Sequence, residues 1–169
     1  NTVSPSLRFR KSRNTGIGSH TAVAAGDKLG SIYFSGSNGT AFETGAAISA
    51  EAEETFVVTD GGSAARQGTN LAFHTTDAGA VATLDERMRI DHNGNIGIGT
   101  TSPNMQLEVS SAGSGATMAI TTYNDSGAQY PTLQLRKADG VEANPALVDD
   151  TDIIGAINWY GHDATNAFD

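Results

Sequence analysis

Cysteine is absent from this chain of 169 residues. That excludes disulfides and every metal site built on thiolates. Aromatic residues make up only 7% and hydrophobic residues 38% of the sequence, with Gly, Ala, Ser and Thr filling much of the rest. A chain so short of large side chains has little with which to build a private core. Such units need a metal, disulfides or oligomerisation for stability, and oligomerisation carries the most weight here. Basic residues are also few, 10 Lys and Arg against 19 Asp and Glu, for a formal charge of −9. That balance argues against nucleic acid, because phosphate binding needs clustered Lys and Arg, and disfavours anionic membrane surfaces. No apolar run approaches the roughly 20 residues that cross a bilayer, so membrane insertion is not expected. Asn1 to Arg13 lacks the apolar stretch of a secretion signal. The missing initiator Met and the abrupt end at Asp169 suggest a segment of something longer.

What is present reads as strand and turn. Leu7 to Arg10 and Ala46 to Glu53 alternate apolar or small with polar residues. Phe56 to Val58, Leu71 to Phe73, Met88 to Ile90, Ile96 to Ile98, Leu107 to Val109 and Leu133 to Arg136 are shorter runs of the same kind. Period two with β-branched and aromatic residues predicts half-buried strands. Turn clusters separate them at Gly36–Gly39, Asp60–Ser63, His92–Asn95 and Asn124–Gly127. Thr83 to Arg89 has room for one helical turn but runs into a strand-like segment, and no convincing amphipathic helix is found.

The sequence also repeats itself. Ser6 to Lys11 is similar to Thr132 to Lys137, and Asp27 to Gly36 to Asp152 to Gly161, with Phe42 against Phe168 and spacings that agree to within one residue. Each copy predicts a basic strand, a loop and an apolar strand ending in an aromatic and a glycine. Leu7/Leu133, Phe9/Leu135, Ile32/Ile157 and Phe34/Trp159 are expected to be buried in equivalent places. The repeat is too long for a solenoid turn and suits similar β-domains strung along a rod.

No constellation of catalytic residues stands out. His20, His74, His92 and His162 form no pair at ligand spacing. Asp91 to Asn95 opens like a calcium loop, but Ile96 and Ser102 stand where the loop needs Gly and Glu. Gly94, Gly97 and Gly99 are followed by Pro103 rather than by a helix, so they are no dinucleotide fingerprint. Asn38-Gly39-Thr40 and Asn124-Asp125-Ser126 match glycosylation sequons and read better as turns. Glu51, Glu53, Glu54 and Asp149 to Asp152 read as acidic strand faces and loops rather than as a glycosidase pair. Trp159 and Tyr160 could stack on a sugar, but the Phe34/Trp159 match favours a core role for Trp159. No catalytic, cofactor-binding or metal-ligating residue is assigned, and no cofactor is expected.

Glu86 to Val109 carries the most specific pattern: strand, tight turn, strand, Pro-marked turn, strand. Asn93-Gly94 is a strong hairpin signal, predicting a type I′ turn with positive φ at both positions. Gly97 and Gly99 alternate with Ile96 and Ile98, so one face of that strand is bare backbone, which permits close approach of another chain. This segment resembles the ERMRID-x-x-GN-h-GIGTTSP-x-x-LxV signature (h apolar) of phage tail-fibre and neck-fibre proteins, which often end in an intramolecular-chaperone autoprotease domain. Gly30 to Gly36, Ala46 to Ala50, Leu71 to Thr76 and Asp85 to Arg87 extend the likeness. That chaperone domain is not in this sequence, so its chemistry is carried onto no residue here.

The expectation is an all-β fold of small antiparallel domains repeated along a fibre and joined by a glycine-rich, intertwined connector. The boundaries are 1–84 for a first unit, 85–110 for the hairpin connector, 111–131 for a linker and 132–169 for the start of a second unit. The resemblance implies a parallel homotrimer, a structural part of a virion fibre that supports host attachment. It implies self-association, other fibre or tail proteins as partners and a host surface glycan as a further one. Ile96, Gly97, Ile98, Gly99, Leu107 and Val109 are the expected trimer contacts, with Asn93 and Gly94 in the turn. A prokaryotic surface fibre and a non-catalytic part of a glycan-degrading tailspike are the alternatives.

Overall fold

A computed structural model describes residues 4–16, 18–58, 66–79, 83–113, 115–123, 125, 129–141, 143–153 and 155–159. The chain divides into two compact units, Asn1–Met118 and Ala119–Asp169. The first unit holds six strands: β1 Lys28–Ser37, β2 Phe42–Ala52, β3 Thr69–Thr76, β4 Leu84–Ile90, β5 Ile96–Ile98 and β6 Leu107–Val109. They form one sheet in sequence order, antiparallel from β1 to β5, with β6 parallel to β5. The second unit contains a two-stranded antiparallel pair, β7 Asp139–Val141 and β8 Asn144–Ala146.

The alternating segments become β2 to β6 as their period dictates, and Thr83 to Arg89 goes to strand rather than helix. Three expected strands do not form. Among the described residues Leu7 to Arg10 and Leu133 to Arg136 join no ladder, and Phe56 to Val58 makes an isolated bridge from Val57 to Arg66. A strand needs a ladder partner as well as a pattern, and the described part of the chain supplies none. The turn cluster Asp60–Ser63 lies outside the described residues, as do Gly161 to Phe168 of the repeat and all of the Asn124–Gly127 cluster except Asp125. Residues 152–153 and 155–159 do not form the strand that their match to β1 predicted, and Ile154 and Tyr160 lie outside the described residues. The paired apolar residues of the repeat are not buried within the chain either: Phe9 and Leu135 are 53% and 52% exposed, and Phe34 and Trp159 more so. Residues 85–110, expected as a separate connector, continue the sheet of the first unit.

The β1–β2 turn shows how local chemistry sets these hairpins. Asn38 Oδ1 accepts from the backbone N–H groups of Thr40 and Ala41, both at 2.8 Å, while Asn38 N–H donates to Ala41 O. Gly39 supplies the positive φ of 93°. At the other end of β2, the Val23–Asp27 turn is tied down by Gly26 N–H to Ala52 O at 2.7 Å and Ala52 N–H to Asp27 O at 2.9 Å. Val23 and Ala52 are accordingly buried.

The step from β5 to β6 is unusual. Parallel strands ordinarily need a crossover of roughly a dozen residues or more, yet residues 99–106 suffice here. Ile96 N–H donates to Gln106 O and Ser110 N–H to Ile98 O, each at 2.9 Å, closing the ladder at both ends. Pro103 is buried in this loop, beside Gly97.

Candidate functional site

The register of the six strands sorts their side chains onto two faces. One row runs Ile32–Ile48–Phe73–Met88–Ile98–Val109. The row two residues along is Gly30–Ala50–Leu71–Ile90–Ile96–Leu107. Because side chains alternate across a sheet, these rows share one face. The row between them, Ser31–Ser49–Ala72–Arg89–Gly97–Glu108, lies on the other.

Burial inverts the usual relation between the faces. Ala47, Ser49, Asn70 and Ala72, small or polar, are buried on the second face. On the first face Ile32, Leu71, Phe73 and Ile98 remain 37–44% exposed and Leu107 55%, while Tyr33, opposite Ala47, stands on the second. Among the described residues no large side chain is fully buried. The first face is thus a contiguous row of partly exposed apolar side chains.

The polar face is laced together internally. Arg89 grips the Glu86 carboxylate with two bonds of 2.6 and 2.8 Å and reaches Glu53 at 3.0 Å. Glu53 also accepts from Asn70, from the backbone N–H of His92 at 3.0 Å, and from the His92 ring. Burial pulls the Glu53 carboxyl upward, but the His92 and Asn70 hydrogen bonds outweigh it and leave the group below its ordinary value. The same hydrogen bond to Glu53 holds the His92 imidazole above its ordinary value. The Glu86 hydrogen bond raises Arg89 further. His74 and Ser49 are joined at 2.9 Å on this face. Among the described residues no group of three His, Asp or Glu could hold a metal ion.

The structure brings four of the expected contact residues together. Ile96, Ile98, Leu107 and Val109 form the β5–β6 end of the apolar face, beside Met88 and Ile90. Gly97 and Gly99 have another explanation. Gly97 is on the polar face, and a Cβ there would lie 2.7 Å from Thr100 O and 3.4 Å from Pro103. Gly99 has φ of 73°, and a Cβ there would fall 2.1 Å from Ser110 O. At both glycines the chain's own backbone makes a close approach, from the loop at Gly97 and from Ser110 after β6 at Gly99. The turn differs as well. Gly94 N–H donates to Asp91 O at 3.0 Å and Asp91 N–H to Asn95 O at 2.9 Å, so the loop is His92–Gly94, one residue longer than a type I′ hairpin. Gly94 takes the positive φ, 82°, and Asp91 Oδ1 accepts from Asn93 and Asn95 N–H.

Sequence reading missed the rest of the apolar face. Ile32, Ile48, Leu71 and Phe73 each sit in a strand-like pattern, but only the register shows that they share a face with Ile96 and Ile98. The alternation itself was the available signal.

No family model and no curated protein matches the chain. Solved structures similar in fold include two of a phage tail fibre. The carboxy-terminal domain of the bacteriophage T5 L-shaped tail fibre aligns over 100% of this chain and 70% of that one, with a TM-score of 0.66 and 19% identity. The same domain with its intra-molecular chaperone domain aligns with a TM-score of 0.67 and 20% identity. This chain spans under half of that second structure, 48%.

Proposed function

We propose that this chain is a structural segment of a phage-type tail fibre that assembles with copies of itself as a homotrimer, and that it has no catalytic role. The observation that carries the reading is the apolar face of the six-stranded sheet. Its residues are the large hydrophobics that a single-chain core would bury, and here they are left for a partner. Removing apolar area from water stabilises an assembly by about 25 cal/mol per Å². The fold shared with the T5 fibre domain and the Glu86–Val109 resemblance both favour a fibre. A homotrimer places three identical faces around one axis, which lets Ile96, Ile98, Leu107 and Val109 pack against their own kind.

The role is mechanical: the segment spaces other fibre parts and supports host attachment from the outside of a virion. Residues 6–42 and 132–168 would be successive modules of one design. Leu135 supports this, since it lies 3.4 Å from where a Cβ on Gly155 would stand, just as Phe9 crowds Gly30 in the first copy. Sedimentation equilibrium on the recombinant chain tests the assembly, with three copies per particle expected. A folded monomer would sink the reading. Incubation with host polysaccharide should release no new reducing ends; release that disappears when Glu53 or Asp152 is mutated would make this an enzyme instead.

A further inference from the structure

The segment Leu7–Lys11 has a strand's pattern without a strand's bonds. Leu7 and Phe9 alternate with Arg8 and Arg10. Among the described residues the backbone of Leu7–Lys11 makes no hydrogen bond, whereas from Ser12 on the chain is fastened, with Ser12 Oγ and Arg13 N–H both bonded to Thr21. The arm is nevertheless placed. Phe9 rests on Gly30, where a Cβ would come within 2.7 Å of the Phe9 ring carbon Cγ. Gly30 belongs to the apolar face, and the arm borders a groove of about 460 Å³ on that face, floored by Ile32, Ile48 and Leu71. The other side of the arm is open, with Arg8 and Arg10 exposed, and even Leu7, on the groove side with Phe9, is 79% exposed.

Charge points the same way. Four of the ten basic residues, Arg8, Arg10, Lys11 and Arg13, precede residue 14, where there is no Asp or Glu; the remaining six share the chain with nineteen acids. Arg13 pairs with Asp27 at 3.0 Å, while Arg8, Arg10 and Lys11 have no acidic partner among the described residues. Leu135 against Gly155 shows the same apolar side chain on a glycine, again beside a segment, residues 132–136, that forms no strand.

We propose that the Leu7–Lys11 arm is an interchain strand: held on its own sheet by Phe9 at Gly30, it offers its unpaired backbone and its basic side chains to a second copy of this chain. A buried backbone group without a partner is costly, so an arm lying on a face that is covered on assembly needs one. A neighbouring acidic copy supplies both the ladder and the countercharge. The proposal rests on the self-association reading above, and the test separates the two.

Photoreactive benzoylphenylalanine is placed at Leu7 in the full chain. Isotopically heavy and light copies are refolded together, sedimented, illuminated and mapped by mass spectrometry. Heavy–light products joining the arm to another copy are expected, and deleting residues 1–11 should raise the dissociation constant about tenfold or more. In Gly30→Val, which displaces Phe9, the yield of hybrid product should fall several-fold while the sheet's circular dichroism is kept. An oligomer that gives only intrachain products, or none, overturns the arm and leaves self-association standing. Unchanged hybrid yield in Gly30→Val also overturns the anchored arm. A monomer overturns both.

Discussion

At the scale of single residues, the glycines and one ion pair make the sharpest claims. Gly94 and Gly99 both have positive φ, but a Cβ at Gly94 meets open space while one at Gly99 meets Ser110 O. Gly94→Ala should therefore cost about 1 kcal/mol of stability, the strain of a left-handed non-glycine residue. Gly99→Ala should cost about 2–3 kcal/mol or more, because steric overlap with backbone adds to that strain. Urea melts of the two variants check the order, and equal losses would remove the steric argument. Gly97→Val should lower stability through Thr100 and Pro103 before any effect on assembly. The His92–Glu53 pair makes a pH claim. His92 is raised when folded, so its contribution is complete below its ordinary value of 6.5 and is lost as pH climbs through the raised value. Glu53 is lowered when folded, so its contribution is present above its ordinary 4.5 and is lost as pH falls through the lowered value. The pair thus stabilises most between 4.5 and 6.5. Thermal melts across pH 5 to 9 should show a decline as pH rises beyond 6.5 that His92→Gln lacks; parallel curves for both proteins would refute it.

At the scale of elements, β4 decides where the first unit ends. It is the ladder partner of β3 along Leu71–Thr76, so a fragment cut at residue 84 leaves β3 as an open edge and strips the Arg89 network from Glu53. A fragment ending at residue 110 keeps all six strands. The shorter fragment should show no cooperative urea transition and the longer one should show one; cooperative unfolding of both would place the boundary back at β4. Most strands were legible in the sequence because period two is a local property: β2, β3, β5 and β6 all surround segments whose alternation is visible. The extent of the sheet was not legible, because ladder order is a long-range property. Nothing in Glu86–Val109 announces that Met88 sits opposite Phe73. Gly97 and Gly99 read as a bare face, and sequence cannot show that Thr100 and Pro103 come up against the one and Ser110 against the other. The type I′ turn failed because Asp91 caps Asn93 and Asn95 and draws one more residue into the loop.

At the scale of the whole molecule, the proposed self-association makes its claim through the sheet's apolar face. Ile98→Asp puts a charge on that face, toward its β5–β6 end. In a single chain it is well hydrated, so folding should change little. In an assembly it is buried without a partner, at a cost of a few kcal/mol, and the dissociation constant should rise about 100-fold or more. Sedimentation velocity checks this; an unaltered oligomer would mean that the face is not the interface. The parallel step from β5 to β6 has its own consequence. Five antiparallel strands alternate in direction, and a sixth continuing the alternation would finish at the same end of the strands at which the chain came in. Because β6 repeats the direction of β5, the chain enters β1 at one end of the strands and leaves β6 at the opposite end. Tension on the two ends therefore draws the strands past one another lengthwise, loading many ladder bonds together in shear, instead of peeling them open one at a time like a zip.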